Sequence, residues 1–311
     1  MNVSMQDTYN LGWKLAHVIK GYSDPSILKT YQSERQKIAQ DLIAFDHRFS
    51  RLFSGRPARD VMDEEGISMD EFENAFQKGN MFASGIAVDY GNSAIVAKQG
   101  NSAKQGAGTG VSSPVLSKQH LSKTIQIGQR IPSHKVLNQS DARPWHLQEL
   151  LKSNGHWRVI VFPGNLTDQT NMTRYQELGA KLGSVNSFLR RFTPPGLSID
   201  SVIEVLTVHA GPRRDIELVG LPEIFHPYSK TMGWDYWKVF VDDQSYHEGH
   251  GQAYENYGID FKNGASVIVR PDQYVSWVGE MEDYESMDEF FSAFMKTQGD
   301  QADSVRVASV L

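Results

Sequence analysis

No cysteine occurs in the 311 residues, which excludes disulfides, thiolate metal sites, CxxC redox chemistry and a cysteine nucleophile together. Positive charge is in deficit: 31 Lys and Arg stand against 37 Asp and Glu, a net charge of −6. A chain of this balance lacks the basic surface that seeks phosphates, which argues against nucleic acid as a partner. No apolar run approaches the roughly 20 residues of a membrane helix, so no membrane association is expected. Residues 1–21, MNVSMQDTYNLGWKLAHVIKG, lack a basic start followed by an apolar stretch and do not read as a secretory signal. The sequons at Asn2, Asn138, Asn165 and Asn171 are then chance matches, and the expected location is the cytoplasm.

What is present is an ordinary globular composition, 40% hydrophobic and 22% charged, with enough apolar material for a core without staples. At about 150 residues per domain the length suggests two domains. The chain opens as a helix in which Leu11, Leu15, Val18 and Ile19 form one apolar stripe, closed by Gly21. Asp24-Pro25 then serves as N-cap and first helical position of a long amphipathic helix, with Leu28, Tyr31, Ile38, Leu42, Phe45, Phe49 and Leu52 at spacings of three and four through to Ser54. A coiled-coil reading is weaker, because Arg35 occupies a seam position. Ser68-Met69-Asp70-Glu71 reads as a capping box for a third helix to about Lys78, and Ile86, Val88 and Tyr90 alternate as a short strand.

Residues 98–114, KQGNSAKQGAGTGVSSP, read as a flexible linker or surface insertion. Beyond residue 121 helix and strand alternate. A helix is expected over 146–152, strands over 157–162, 202–208 and 237–241, and one helix over about 169–192, stopped by Pro194-Pro195-Gly196. Residues 265–270 and 274–278 flank Pro271-Asp272-Gln273 as an antiparallel hairpin, and a last helix spans about 286–295 from a Ser286/Glu289 capping box. Parallel βα units followed by a hairpin and a closing helix describe a thioredoxin-like α/β sandwich. Without cysteine it cannot run peroxide or disulfide chemistry.

Short motifs offer little. Gly106-Ala107-Gly108-Thr109-Gly110 fails the phosphate-loop spacing and follows a linker rather than a strand. In His247-Glu248-Gly249-His250 the histidines stand three apart rather than four, and Gly249 and Gly251 disfavour the helix a zinc site of that type needs. No G-x-S-x-G elbow exists to place a serine nucleophile. The first turn of the opening helix, at Met1 and Asn2, presents unpaired N–H groups suited to an electron-rich ligand edge. On sequence physics alone the better reading is the frayed start of a helix.

Longer segments carry a resemblance. MNVSMQDTYNLGWKLAHVIKG and LKTYQSERQKIAQDLIAFD (28–46) resemble the segment that follows the second flavin-binding motif of FAD-dependent aromatic hydroxylases of the phenol 2-monooxygenase type. GQRIPSHKVLNQSDARPWHLQELLKSNGHWRVIVF (128–162), AYENYGID (253–260) and VIVRPDQYVSWVG (267–279) are similar to that family's C-terminal thioredoxin-like domain. The resemblance implies an α/β chain in three parts. Residues 1–97 would be the C-terminal part of an FAD-binding and substrate domain, 98–120 a linker or insertion, and 121–311 a cysteine-free thioredoxin-like domain. It implies FAD as cofactor, NADPH as reductant and ortho-hydroxylation of a phenolic substrate. The family's G-x-G-x-x-G loop, ribityl-contacting Gly-Asp motif and most phenol-binding residues do not precede Met1, so the chain is expected to bind FAD weakly and not to be competent alone. Met1 and Asn2 match the end of the family's Gly-Gln-Gly-Met-Asn signature, whose helix faces the pyrimidine end of the flavin; no catalytic and no metal residue is carried over. A homodimer is implied. The alternative is a non-catalytic thioredoxin-like scaffold or dimerisation module, and apolar faces left exposed on the helices of residues 1–80 would favour dimers or aggregates.

Overall fold

The computed structural model describes residues 2–54, 69–86, 88–99 and 112–299. Met1, Ser68 of the expected capping box and the Gly106–Gly110 run lie outside the described residues. Helix α1 (Asn2–Ile19) leads through a 3-10 turn (Pro25–Leu28) into α2 (Lys29–Ser54), and α3 covers Met69–Ala83. The chain then runs through β1 (Lys135–Asn138), β2 (Pro144–His146), α4 (Leu147–Leu150), β3 (Trp157–Phe162), α5 (Gln169–Gly183), α6 (Phe188–Phe192) and β4 (Ile203–Ala210). The hairpin β5 (Tyr228–Ser229) and β6 (Gly233–Trp234) precedes β7 (Val239–Asp242), and the hairpin β8 (Gln244–Ser245) and β9 (Gly249–His250) follows it. Last come α7 (Ala253–Tyr257), β10 (Ala265–Val269), β11 (Val275–Gly279) and α8 (Tyr284–Ser292).

The main sheet has the order β11-β10-β3-β4-β7-β1-β2. Strands β3, β4 and β7 are parallel, with Val159 beside Val205 and Val208 beside Phe240. Strand β10 is antiparallel to β3, and β11 to β10. The run β4-β3-β10-β11, with α5 in the crossover and α8 closing, is the order and sense of a thioredoxin-like sheet. Strand β3 is buried along its whole length, as a strand covered on both faces must be. Trp157, its first residue, packs against Phe290, Phe291 and Phe294 at and beyond the end of α8 and against Trp13 of α1.

Several expectations are corrected. Residues 88–90 are extended but pair in no strand, and Ile86 is exposed while Val88 and Tyr90 are buried. The single helix over 169–192 is two: α5 ends at Gly183, and Ser187 caps α6 by accepting from the Arg190 N–H. Helix α8 starts at Tyr284 rather than Ser286, and no side chain caps it. Helix α1 is rotated from the expected stripe, with Leu11 and Val18 half-buried and Val18 against the core. Its buried residues are Asn10, Trp13, Lys14 and His17, whereas Leu15 is 39% and Ile19 83% exposed. The polar edge turns inward because its partners are charged groups of α2 and of the β10–β11 turn.

This rotation is testable by urea denaturation. Ile19→Lys should change stability by no more than about 0.5 kcal/mol, as at an ordinary surface position, while Trp13→Ala should cost about 3–5 kcal/mol as a large-to-small core substitution. The reverse ranking would refute the buried face described here.

Candidate functional site

The polar and charged groups that meet at α1 come from four segments. Arg270, where β10 ends, makes hydrogen bonds of 2.6 and 3.0 Å to the Glu34 carboxylate and of 2.9 and 2.7 Å to that of Asp272. Lys14 donates to Glu34 at 2.8 Å and to the Asn10 Oδ1 at 2.7 Å, and the Asn10 amide donates to Glu34 at 2.7 Å. Trp13 donates its indole N–H to Asp272 at 3.0 Å. Arg35 joins Asp7 at 2.5 Å and the Tyr90 hydroxyl at 3.2 Å. The Arg270 guanidinium also lies 5.0 Å from the Tyr90 ring centre and 5.5 Å from that of Trp13.

Electrostatics decide the protonation of this cluster. Burial alone would raise the Glu34 carboxyl, but Arg270 and Lys14 outweigh it and hold it at about 2. Burial lowers the Lys14 ammonium to about 8 against the pull of Glu34. The Arg270 guanidinium is desolvated too, yet Asp272 and Glu34 push it further towards the charged form. With Asp7, Glu34 and Asp272 against Lys14, Arg35 and Arg270, the cluster is charge-balanced. It is a clamp rather than a proton donor, and it fixes α1 against the β10–β11 turn.

A second set of bonds continues the clamp. His17 bonds through Nε2 to the Gly155 carbonyl at 2.6 Å and through Nδ1 to the Ser23 hydroxyl at 3.1 Å. The Asp24 N–H donates to the Phe294 carbonyl, and the Lys296 N–H to that of Tyr22. Tyr9 donates to the Pro271 carbonyl at 3.0 Å. Along the outer side of this junction runs a cleft of about 620 Å³ between Met5, Tyr9 and Gly12 of α1 and Asn154 and Pro271 opposite.

Of the two sequence-predicted site residues, Met1 lies outside the described residues and Asn2 is exposed at the start of α1. The first turn carries no acidic residue, so its N–H groups and partial positive charge are free to meet an electron-rich ring edge. Chemically such a first turn suits the edge of a flavin. It supplies no cradle for its adenine or phosphates, and among the described residues no strand leads through a G-x-G-x-x-G loop into a helix. His247–His250 form the tip and return strand of the β8–β9 hairpin rather than a helix; Glu248 pairs with Lys135 at 2.7 Å, and His250 accepts from the Gln252 N–H. Sequence reasoning missed Lys14, Glu34, Arg270 and Asp272. The available signal was the pair Arg270 and Asp272 interrupting the apolar run VIVRPDQYVSWV, charges that a surface hairpin has no need to place beside a core strand.

Acid should weaken this junction early. His17 and His209 of β4, whose Nε2 lies 2.8 Å from the Gln139 Oε1, are both held neutral by burial, with pKa lowered from 6.5 to about 4. Between those values only the unfolded chain binds the protons, so stability falls as pH drops from 6.5 towards 4. Glu34 adds a second loss below about 4.5, since its folded value is near 2. The melting temperature should therefore decline already between pH 6.5 and 4.5, and a flat profile there would contradict this account. At neutral pH, Arg270→Met should cost about 3–5 kcal/mol, because it strands two buried carboxylates.

Two family models match the chain: "Phenol hydroxylase, C-terminal dimerisation domain" over residues 88–299 and "FAD binding domain" over residues 1–46. The FAD-dependent monooxygenase terD of Aspergillus terreus is 38% identical over 96% of this chain and 46% of its own length. The phenol 2-monooxygenase fsqG of Aspergillus fumigatus is 35% identical over 94% of this chain and 44% of its own length. The 3-hydroxybenzoate 4-monooxygenase of Comamonas testosteroni is 34% identical over 95% of this chain and 43% of its own length. The chain thus spans about half the length of the curated relatives it matches. Rotated helix, clamp and thioredoxin-like sheet are accordingly features of a member of the FAD-dependent aromatic hydroxylase family of the phenol hydroxylase type, to which this chain belongs.

Proposed function

We propose that this chain supplies the flavin-edge helix and the dimerisation domain of an FAD- and NADPH-dependent monooxygenase that hydroxylates phenolic aromatics ortho to their hydroxyl, working as a homodimer. One observation carries the reading: α1, which falls within the matched FAD-binding region, is clamped to the thioredoxin-like sheet through Glu34, Lys14, Arg270 and Asp272. FAD, when bound, supplies the oxygen activation that no side chain can. The first-turn N–H groups at Met1 and Asn2 would hold the pyrimidine edge of the ring and stabilise negative charge on it. Behind them, the buried cluster keeps the helix axis pointed, so the donors need no reorganisation when charge develops. Residues 1–97 belong to the flavin side on this reading, 98–120 to the connection and 121–311 to the thioredoxin-like part. The adenine cradle and phenol pocket come from outside these residues, so the chain alone is not competent.

A second reading, a non-catalytic scaffold or dimerisation module, is favoured by a thioredoxin-like sheet that is complete and free of cysteine. Searching the source DNA upstream of Met1 separates the two: an in-frame Gly-Gln-Gly and G-x-G-x-x-G region supports the hydroxylase, and its absence supports the scaffold.

The purified chain, soaked with FAD and desalted, should be colourless while keeping its circular dichroism, and should show no phenol-dependent NADPH oxidation. Retained flavin absorbance together with that oxidation would overturn the expectation that the chain is incompetent alone.

A further inference from the structure

Large apolar side chains are exposed at scattered places in the thioredoxin-like part, but one stretch concentrates them. Tyr228 is 53%, Met232 85%, Tyr236 46% and Trp237 48% exposed, and Trp234 among them is half-buried. Tyr228 and Trp234 face each other across the β5–β6 hairpin with ring centres 5.1 Å apart. Trp237 meets Trp145 of β2 edge to face at 5.2 Å, and the Arg143 guanidinium lies 4.8 Å from the Trp145 ring centre. The hairpin, closed at its base by the Asp235 N–H to the Pro227 carbonyl, leads through Tyr236 straight to the strand entry at 237, so the two aromatic pairs follow one another along the chain.

We propose that a second copy of this chain docks on this face, burying Tyr228, Met232, Trp234, Tyr236 and Trp237 against the same residues of the other copy. The proposal rests on the dimer reading above, and residues 88–299, matched by the dimerisation-domain model, contain the whole patch. Its chemistry suits that occupant. Tyr, Trp, Met and Arg are the residue types enriched at protein interfaces, where rings give apolar area and a polar tip finds a partner. Among the described residues no hydrogen bond engages the Tyr228 or Tyr236 hydroxyl or the indole N–H of Trp234 or Trp237, so these donors are free to be satisfied across an interface.

Charge is nearly absent from the patch. Lys230 and Asp235 are the ionisable groups between 228 and 237 besides the tyrosines, and Asp235 is engaged by Lys238 at 3.4 Å. A two-fold interface sets a surface against itself, which aromatic groups tolerate and a patch of one charge sign does not. Edge-strand pairing is the weaker route to the same dimer: β2 is three residues long and begins with Pro144, which has no N–H to donate. At about half exposure, these side chains offer on the order of 500 Å² of ring and thioether surface. That is the centre of an interface needing about 800 Å² per partner. Val185, Leu197, Val219 and Phe261, also exposed, each stand in a different segment, and the exposed face of α1 lies outside residues 88–299.

Sedimentation equilibrium of the full chain tests this, with Trp237→Glu, Met232→Glu, Val185→Glu and Ile19→Glu as variants and circular dichroism confirming each fold. Wild type should be a dimer. Trp237→Glu and Met232→Glu should each raise the dimer dissociation constant by roughly 100-fold or more, as interface hot spots do, while Val185→Glu and Ile19→Glu leave it unchanged. Hydrogen exchange over residues 228–237 should speed up when the wild type is diluted to monomer, a readout that survives even if a variant fails to fold. A wild type that is monomeric at all concentrations overturns the dimer reading and the proposal with it. A dimer that resists Trp237→Glu and Met232→Glu, or dissociates with Ile19→Glu instead, keeps the dimer and overturns this face.

Discussion

The Arg270 guanidinium, fully buried between the carboxylates of Glu34 and Asp272, is the contact on which the arrangement of this chain depends. Taking such charges out of water costs several kcal/mol per ion, and their attraction repays that only where the remaining hydrogen-bond positions are filled. Here they are: Asn10, Lys14 and Trp13 occupy the other carboxylate positions, and aromatic faces cover the guanidinium. An apolar plug of similar volume could hold two surfaces together as firmly. What it could not do is select one rotation of α1, because apolar contacts lack direction and charge-assisted hydrogen bonds have it.

The rotation of α1 follows from that selection. A helix with Leu11, Leu15, Val18 and Ile19 on one side would ordinarily turn that side to the core. Lys14, with Asn10 and Trp13 on the neighbouring side, has acceptors on α2 and the β10–β11 turn, and left unpaired those buried carboxylates would cost more than an exposed isoleucine gains by burial. Leu15 and Ile19 are consequently exposed, while Leu11 and Val18 stay half-buried, Val18 against the core.

Where burial is uniform, the elements could be read from residue pattern alone. WRVIVF gave β3 to the residue, because Pro163-Gly164 bounds the apolar run and its one charged residue, Arg158, is buried against Glu204. The β10–β11 hairpin and the Asp24-Pro25 start were legible for local reasons of turn and cap chemistry, the Asp24 side chain accepting from the Ser26 N–H. Pattern failed where tertiary partners decide. Nothing in residues 1–21 says which side of α1 meets charge, since the carboxylates and guanidinium it meets lie at positions 34, 270 and 272. Helix periodicity runs on across 184–187, and only the packing of Phe188 on Phe291 and Tyr284 shows why the chain must turn there. Asn2 as a flavin contact rests on resemblance alone, because an exposed first turn looks the same whether or not a ring edge sits above it.

The cysteine-free sheet admits a similar argument. In a thioredoxin-like order, the loop from β3 into α5 is where redox thiols would stand; here it is Pro163 to Asp168, closed by backbone contacts. Gly164 has φ of 80° and approaches so closely that a Cβ would lie 2.3 Å from the Phe261 carbonyl. Its N–H donates to the buried Tyr254 hydroxyl, and the Asn165 N–H to the same Phe261 carbonyl. A reactive thiol needs access, and Pro163, Gly164 and Leu166 of this loop are buried. The end of the sheet that would carry redox chemistry is a packing junction.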